Sequence, residues 1–352
     1  MPGKTLLIRA DASSEIGVGH VMRCLALAQC WQTMGGRAIF AMADGAGELE
    51  QQLLSQDFEV VRINGEPGSR EDATQTLQWH KKLETEWLLL DGFHFSEEYC
   101  STVGSGAGFL LLMDDDGMRS SYRCDLVLNV NPQASESMYP VREERTRLLL
   151  GLRYALLRRE FLERAGARAE VPGTAGRVLI TFGGADPHNV TLLVLQALQQ
   201  VDDLPLEITV LAGASNPHRQ SLEEAVKRSV HPAHFVWNSK NMPELMSQCD
   251  LAITAGGATC YELALMKTPM FLITMAANHE RTVEAYGRLG AAISAGWFHS
   301  LAIEHLAASL RHVIADARVR ESMQQNASRL VDGLGARRVV DTMFEVSCRQ
   351  VQ

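Results

Sequence analysis

Ile8-Arg9-Ala10-Asp11-Ala12-Ser13-Ser14-Glu15-Ile16-Gly17-Val18-Gly19-His20-Val21-Met22-Arg23 joins two kinds of periodicity. The apolar run from Thr5 to Ile8 reads as a buried strand, and it ends in a small, polar loop punctuated by glycine. From Val21 the pattern changes: Val21, Leu25 and Ala28 recur at helical spacing. Strand, glycine loop and helix in that order place the loop at the carboxyl edge of an α/β sheet, where ligands bind. Gly17 and Gly19 are expected to allow positive φ and a close approach of another molecule. His20 then falls in the first turn of the helix. That position suits a general base, because the partial positive charge of a helix N-terminus disfavours imidazolium and a neutral imidazole takes a proton from water. The alternative is a histidine that only caps or packs the turn.

Beyond this stretch the chain repeats the device. Ala38 to Met42, Glu59 to Ile63, Trp87 to Leu90, Phe109 to Met113 and Leu126 to Val130 read as strands, and Ser69 to Leu83 as a polar helix. Continuous apolar strands alternating with helices predict a parallel sheet covered on both faces. Three strand ends carry polar groups toward one edge. Asp91 and His94 could orient a water or a sugar hydroxyl, or be a turn aspartate and an exposed histidine. The run Asp114-Asp115-Asp116 could ligate a metal through oxygen, or form an acidic surface turn with Gly117. Arg153 to Leu162 reads as a helix, and residues 164–176, rich in Ala, Gly, Arg and Pro, as a linker.

A second series follows, with strands at Arg177 to Phe182, Glu207 to Ala212, His234 to Trp237, Leu251 to Thr254 and Pro269 to Thr274, and helices at Gln220 to Ser229 and Met242 to Gln248. Two of these strands run into glycines before a helix: Gly183-Gly184-Ala185-Asp186-Pro187, with Pro187 in the first turn of its helix, and Ala255-Gly256-Gly257. Backbone N–H groups and the helix dipole make such a loop an anion site. Glu262, just inside the helix after Gly257, could accept paired ribose hydroxyls or stand on the surface. Asn278 adds a polar group after the next strand. The remainder from Leu301 is mainly helical. The expected domains are 1–163, 177–335, and a C-terminal helix at 336–352 that could cross back to the first domain.

Composition sets the outer bounds. The chain has 352 residues, 46% apolar and 21% charged, with a formal net charge of -9. That length suits two domains. The acidic balance argues against a nucleic-acid partner or an anionic membrane surface, and no apolar run approaches the ~20 residues of a membrane span. Seven scattered cysteines without CxxC spacing suit reduced thiols and a cytoplasmic location. The GxGxxG fingerprint fails because Met22 stands at its third glycine. Walker A and a GxSxG elbow are absent as well.

Arg9-Ala10-Asp11 through Gly17-Val18-Gly19-His20, Leu112-Met113-Asp114-Asp115, Cys124 through Asn131, Tyr154 through Phe161, the Gly183-Gly184-Ala185-Asp186 loop and Tyr261-Glu262-Leu263-Ala264 together resemble one family. It is the PseG family, UDP-2,4-diacetamido-2,4,6-trideoxy-β-L-altropyranose hydrolases of pseudaminic acid biosynthesis, with a GT-B, MurG-like fold. The resemblance covers about residues 5–290. It implies two Rossmann-like α/β domains facing across a cleft, with His20 activating the water that attacks the anomeric carbon in an inverting hydrolysis. It further implies that Gly184 and its neighbours lie near the diphosphate, that the Asn278 loop lies near the diphosphate or sugar, and that Glu262 holds the ribose; Gly17, Gly19, Asp11, Asp91, Gly183 and Gly257 are the further residues expected to bind the substrate. No cofactor and no metal is implied. The expected partner is the UDP-sugar alone, with a monomer favoured, no nucleic acid and no membrane insertion. The rival readings are a GT-B glycosyltransferase using a UDP-sugar donor and a non-catalytic nucleotide-sugar binding protein.

Overall fold

A computed structural model of the chain describes residues 3–12, 18–43, 47–166, 170–239 and 241–349. Gly17 lies outside the described residues. The chain divides into two compact units, 1–159 with 333–352, and 160–332.

In the first unit the elements run β1 (Thr5–Ala10), α1 (Gly19–Thr33), β2 (Arg37–Met42), α2 (Gly47–Leu54), β3 (Glu59–Arg62), α3 (Arg70–Lys82), β4 (Trp87–Asp91), α4 (Glu97–Gly106), β5 (Phe109–Met113), β6 (Leu126–Asn129) and β7 (Arg147–Leu150), and the short α5 (Arg159–Leu162) spans the boundary with the second unit. The strands form one parallel sheet in the order β3-β2-β1-β4-β5-β6-β7. The chain winds outward from β1 to β3, then returns and winds the other way from β4. The switch point lies between β1 and β4, and a crevice opens there at the carboxyl ends of the strands. Leu7, Ile39, Leu88, Leu90, Leu110 and Val127 fill the core on one face. Removing each such side chain from water contributes about 1.5–3 kcal/mol. This explains why the strands read as unbroken apolar runs.

Local signals set the helix ends. Ser69 Oγ accepts from the Asp72 amide at 3.2 Å and starts α3. Acidic Glu71 and Asp72 open that helix and Lys81 and Lys82 close it, each matching the local sign of the helix dipole.

The second unit repeats the plan with β8 (Arg177–Thr181), α6 (Val190–Leu198), β9 (Glu207–Ala212), α7 (Arg219–Lys227), β10 (Ala233–Trp237), α8 (Met242–Gln248), β11 (Leu251–Thr254), α9 (Thr259–Leu265), β12 (Met270–Thr274), α10 (Ala277–Arg288), β13 (Ala292–Trp297), α11 (Ile303–Ala315) and α12 (Ala317–Leu330). Its parallel sheet has the order β10-β9-β8-β11-β12-β13, so the switch point falls between β8 and β11. Val178, Ile180, Ile208, Val210, Ile253 and Phe271 sit in its core. The last helix, α13 (Gly335–Arg349), belongs to the first unit. There Phe344 stacks on Trp31 at 5.4 Å between ring centroids, and Ser347 Oγ accepts from Trp87 Nε1 at 2.9 Å.

Three expectations are corrected. Residues 153–162 are not one helix: a single 3-10 turn at Leu152–Tyr154 is followed by irregular chain before α5. A Cβ on Gly335 would overlap the backbone of Tyr154 and Ala155, so α13 lies directly on this segment. Pro187 is not in the first turn of α6, which starts at Val190 after Asn189 in a left-handed conformation, φ 52°. Gly19 has no positive φ; it is the first residue of α1, with open space where a Cβ would stand.

Candidate functional site

At the switch point of the first unit, α1 brings its first turn over the end of β4. His20 is 8% exposed, and its Nδ1 lies 2.8 Å from Asp91 Oδ1. Arg23, one turn further along α1, holds the same carboxylate with two bonds, Nη2 to Oδ1 and Nε to Oδ2, each 2.6 Å. The third guanidinium nitrogen, Nη1, reaches both oxygens of Asp115 at 2.9 Å. Asn131 Nδ2 donates to Asp115 Oδ1 and to Asn129 Oδ1, both at 3.0 Å. The ends of β4, β5 and β6 are thus tied into one network through Arg23.

The electrostatics assign the protons. Burial alone would push the Asp91 carboxyl up, but Arg23 and His20 outweigh it and hold it well below the usual carboxylate range. An ionised carboxylate only accepts, so the 2.8 Å contact makes His20 Nδ1 the donor. Arg23 Nη2 lies 3.3 Å from the same Nδ1. A guanidinium is donor-only, so that approach is a contact between two donors and not a competing bond. In the neutral imidazole, a proton held at Nδ1 puts the lone pair on Nε2. This tautomer is inferred from the network of partners. The Cys24 thiol, 3.4 Å from Asp91 Oδ2, is pushed up by burial and then by the Asp91 charge, and stays protonated.

His20, Arg23 and Asp91 line a cavity of about 200 Å³ with Phe93, Met113, Asp115, Met118 and Arg119. The Phe93 ring meets His20 edge-on, 4.9 Å between centroids at 82°, and is 62% exposed. Met118 is 78% exposed. One wall of the cavity is therefore carboxylate and guanidinium, and its rim is apolar.

The other predicted residues of this unit sit differently. Asp11 Oδ1 accepts from Arg9 Nη1 at 2.6 Å and from the Ala43 amide at 2.8 Å, and Oδ2 lies 3.0 Å from His94 Nε2. Asp91 and His94, three positions apart in sequence, therefore serve different partners. Fully buried Arg9 also binds Asp72 through Nε and Nη2 at 2.9 and 2.7 Å. Burial opposes ionisation of Asp11 and Asp72, yet His94 and Arg9 hold Asp11 down and Arg9 holds Asp72 down. Asp114 pairs with Arg119 and accepts from Tyr139 Oη at 3.1 Å and the Gly117 amide at 2.8 Å. Burial nonetheless raises its carboxyl above the usual range. Asp116 Oδ1 accepts from the Met118 amide. The acidic run is thus consumed by protein partners. Among the described residues no group of three or more His, Cys, Asp or Glu could hold a metal ion.

In the second unit the glycine loops lie after β8 and β11, on the two sides of that switch point. Gly183 takes φ 79°, and a Cβ on Gly213 would stand 2.5 Å from Gly184 Cα. Asp186 accepts from the Val190 and Thr191 amides at 2.8 and 3.0 Å and from Thr191 Oγ1 at 2.6 Å. The start of α6 is therefore already closed by a carboxylate. By contrast α10 opens without a side-chain cap, with Asn278 exposed in its first turn. A Cβ on Gly256 would press on Val283 and the His279 carbonyl, so the Gly256-Gly257 turn packs against α10. Glu262 is half-buried on α9. Burial keeps the His279 imidazole below its usual range, in its neutral form.

Sequence reasoning missed the roles of Arg23, Asp115 and Asn131. Arg23 carried a usable signal: it stands three residues after His20, on the same face of a helix.

No protein-family model matches the chain. An uncharacterized protein of Methanocaldococcus jannaschii is 26% identical over 76% of this chain; the chain spans about half of that relative's length, 55%. The UDP-2,4-diacetamido-2,4,6-trideoxy-beta-L-altropyranose hydrolase of Campylobacter jejuni is 26% identical over 81% of this chain and 97% of its own. The spore coat polysaccharide biosynthesis protein SpsG of Bacillus subtilis is 24% identical over 94% of this chain and 95% of its own. Among solved structures, MurG of Acinetobacter baumannii superposes with TM-score 0.68 over 97% of this chain and 99% of its own, at 16% identity. The UDP-GlcNAc 2-epimerase of Neisseria meningitidis bound to UDP-GlcNAc gives 0.66 over 97% and 100%, at 11% identity. The fold is therefore that of the GT-B glycosyltransferases and their relatives, and the chain resembles the PseG hydrolases in sequence.

Proposed function

Given that resemblance, we propose that the chain hydrolyses a UDP-linked, N-acylated deoxysugar to free sugar and UDP, with His20 as the general base. The substrate class follows the C. jejuni relative, which matches almost end to end, and the proposed place of the activity is pseudaminic acid biosynthesis. The observation that carries the reading is the His20–Asp91 pair: Asp91 holds Nδ1–H and leaves Nε2 to take a proton.

In the proposed step a water proton moves to His20 Nε2 as the water oxygen bonds the anomeric carbon. The bond from that carbon to the diphosphate oxygen breaks, its electron pair leaving with UDP, and configuration inverts. The imidazolium then returns its proton to solvent. Base catalysis of this kind contributes ~10²–10⁴-fold. Asp91, ionised and buried, stabilises the imidazolium as it forms.

We assign the nucleotide to the second unit. The uncapped start of α10 with Asn278 and the backbone of Gly256-Gly257 would receive the diphosphate, with Gly183 and Gly184 alongside and Glu262 on the ribose hydroxyls. The deciding experiment is incubation with UDP-sugars and measurement of UDP and free sugar without any acceptor. Release of both supports a hydrolase. UDP release only on addition of an acceptor would assign a glycosyltransferase instead, and binding without turnover would assign a nucleotide-sugar binding protein.

A further inference from the structure

We propose that Arg23 is a positioning residue for His20: by gripping both oxygens of Asp91 while anchored on Asp115, it fixes the acceptor that decides which imidazole nitrogen is the base. The inference rests on the hydrolase reading for its kinetic part only.

The geometry requires such a residue. Asp91 ends β4, its side chain fully buried, and a lone carboxylate there would face two costs. It would be poorly neutralised, and it could rotate between His20 and the Cys24 thiol, which lies 3.4 Å from Oδ2. Arg23 removes both freedoms. Nε and Nη2 take one oxygen each, the two-point fork that a single ammonium cannot reproduce. The plane of the guanidinium is itself set from the far side, because Nη1 meets both oxygens of Asp115 and Asn131 holds Asp115. His20 then finds Asp91 Oδ1 in one orientation, 2.8 Å away. Asn131 and Asp115, at the ends of different strands, gain a common purpose: they orient the arginine that orients the carboxylate. Arg23 itself touches neither water nor sugar in this scheme.

Three variants test it. Arg23→Lys keeps the charge and loses the fork; Arg23→Ala loses both; Asp115→Asn loosens the anchor and leaves Asp91 intact. In the ligand-free protein, proton and nitrogen NMR of the imidazole, assigned with His20→Asn, should show one Nδ1–H form in the wild type and a mixture of tautomers in Arg23→Lys. For UDP-sugar turnover, Arg23→Lys should lower kcat ~10²-fold, the scale of an ångström-sized misplacement, with KM and UDP affinity unchanged. Asp115→Asn should show a smaller fall of the same kind. Added guanidinium ion should restore part of the lost kcat in Arg23→Ala. If Arg23→Ala does not fold, Arg23→Lys and Asp115→Asn carry the test. Wild-type kcat, or an unchanged single tautomer, in Arg23→Lys overturns the proposal. If the wild type releases no UDP but the tautomer still depends on Arg23, the positioning role stands and the hydrolase reading falls.

Discussion

His20 and Asp91, 71 residues apart in sequence, meet at 2.8 Å because β4 lies beside β1 and α1 folds back from the end of β1. The pair exists only through the strand order, and its loss should be felt as chemistry. Asp91→Asn replaces an ionised acceptor by an amide, and kcat should fall ~10²–10⁴-fold, up to the full worth of the base. UDP affinity, measured by calorimetry, should stay within a few tenths of a kcal/mol. Full turnover in this variant would remove Asp91 from the mechanism.

Glu262→Ala and His20→Ala should behave oppositely. Loss of charged hydrogen bonds to a ribose costs ~1.5–3 kcal/mol, about ten- to a hundred-fold in affinity. Glu262→Ala should weaken UDP binding by that amount, and His20→Ala should bind UDP as the wild type does while losing most turnover. The reverse pattern in paired titrations would put the nucleotide on the first unit.

The Arg9 cluster gives a pH prediction. Asp11 and Asp72 have folded-state pKa values below their ordinary ones, so their stabilisation is complete above the ordinary carboxylate pKa, about 3.9, and is lost as pH falls through the folded values. Arg9→Met leaves two buried carboxylates without their shared cation. Burial then raises both, and stability is lost as pH rises. The variant should be ~3–5 kcal/mol less stable than wild type near pH 7 and much closer to it near pH 4.5. Urea melts at the two pH values check this; an equal gap at both would refute it.

Gly213→Ala places a Cβ against the backbone of Gly184, which cannot yield as a flexible side chain could. Thermal melting should show ~1–3 kcal/mol of destabilisation, the usual scale of overpacking. UDP affinity should fall as well, because the displaced Gly184 backbone is the one placed beside the diphosphate.

Activity should survive EDTA. The carboxylates of Asp114, Asp115 and Asp116 are engaged by Arg119, Arg23 and a backbone amide, and the proposed site neutralises the diphosphate with backbone N–H groups. Loss of turnover on chelation, restored by Mg²⁺ or Mn²⁺, would overturn this.

Most strands were legible in the sequence, but β7 and β13 were not read. Phe109–Met113 and Leu251–Thr254 are bounded as their apolar runs suggest, because a parallel strand covered on both faces is apolar almost throughout. Helix α4 was not legible. Its sequence EEYCSTVGSG carries two glycines and little helix propensity, yet Ser96 caps it. Gly104 is kept bare by the Arg123 carbonyl, 2.8 Å from where a Cβ would stand, and Gly106 by Leu77. Both are tertiary demands that no local window contains. The same holds at the site. His20 announced itself through the glycine loop, whereas the partners of Asp11, Asp91 and Asp115 depend on which strand ends become neighbours.

The return of α13 to the first unit bears on the order in which the protein forms. Residues 160–332 make a unit from one unbroken stretch, so it can mature as soon as that stretch leaves the ribosome. The first unit cannot. Its sheet is synthesised early, but Phe344 and Ser347, which cover Trp31 and Trp87, follow only after the 173 residues of 160–332 have been made, a delay of roughly 10–40 s at ordinary rates of synthesis. The half that carries His20 begins first and is finished last, and for that interval its two most buried tryptophans lack their final partners.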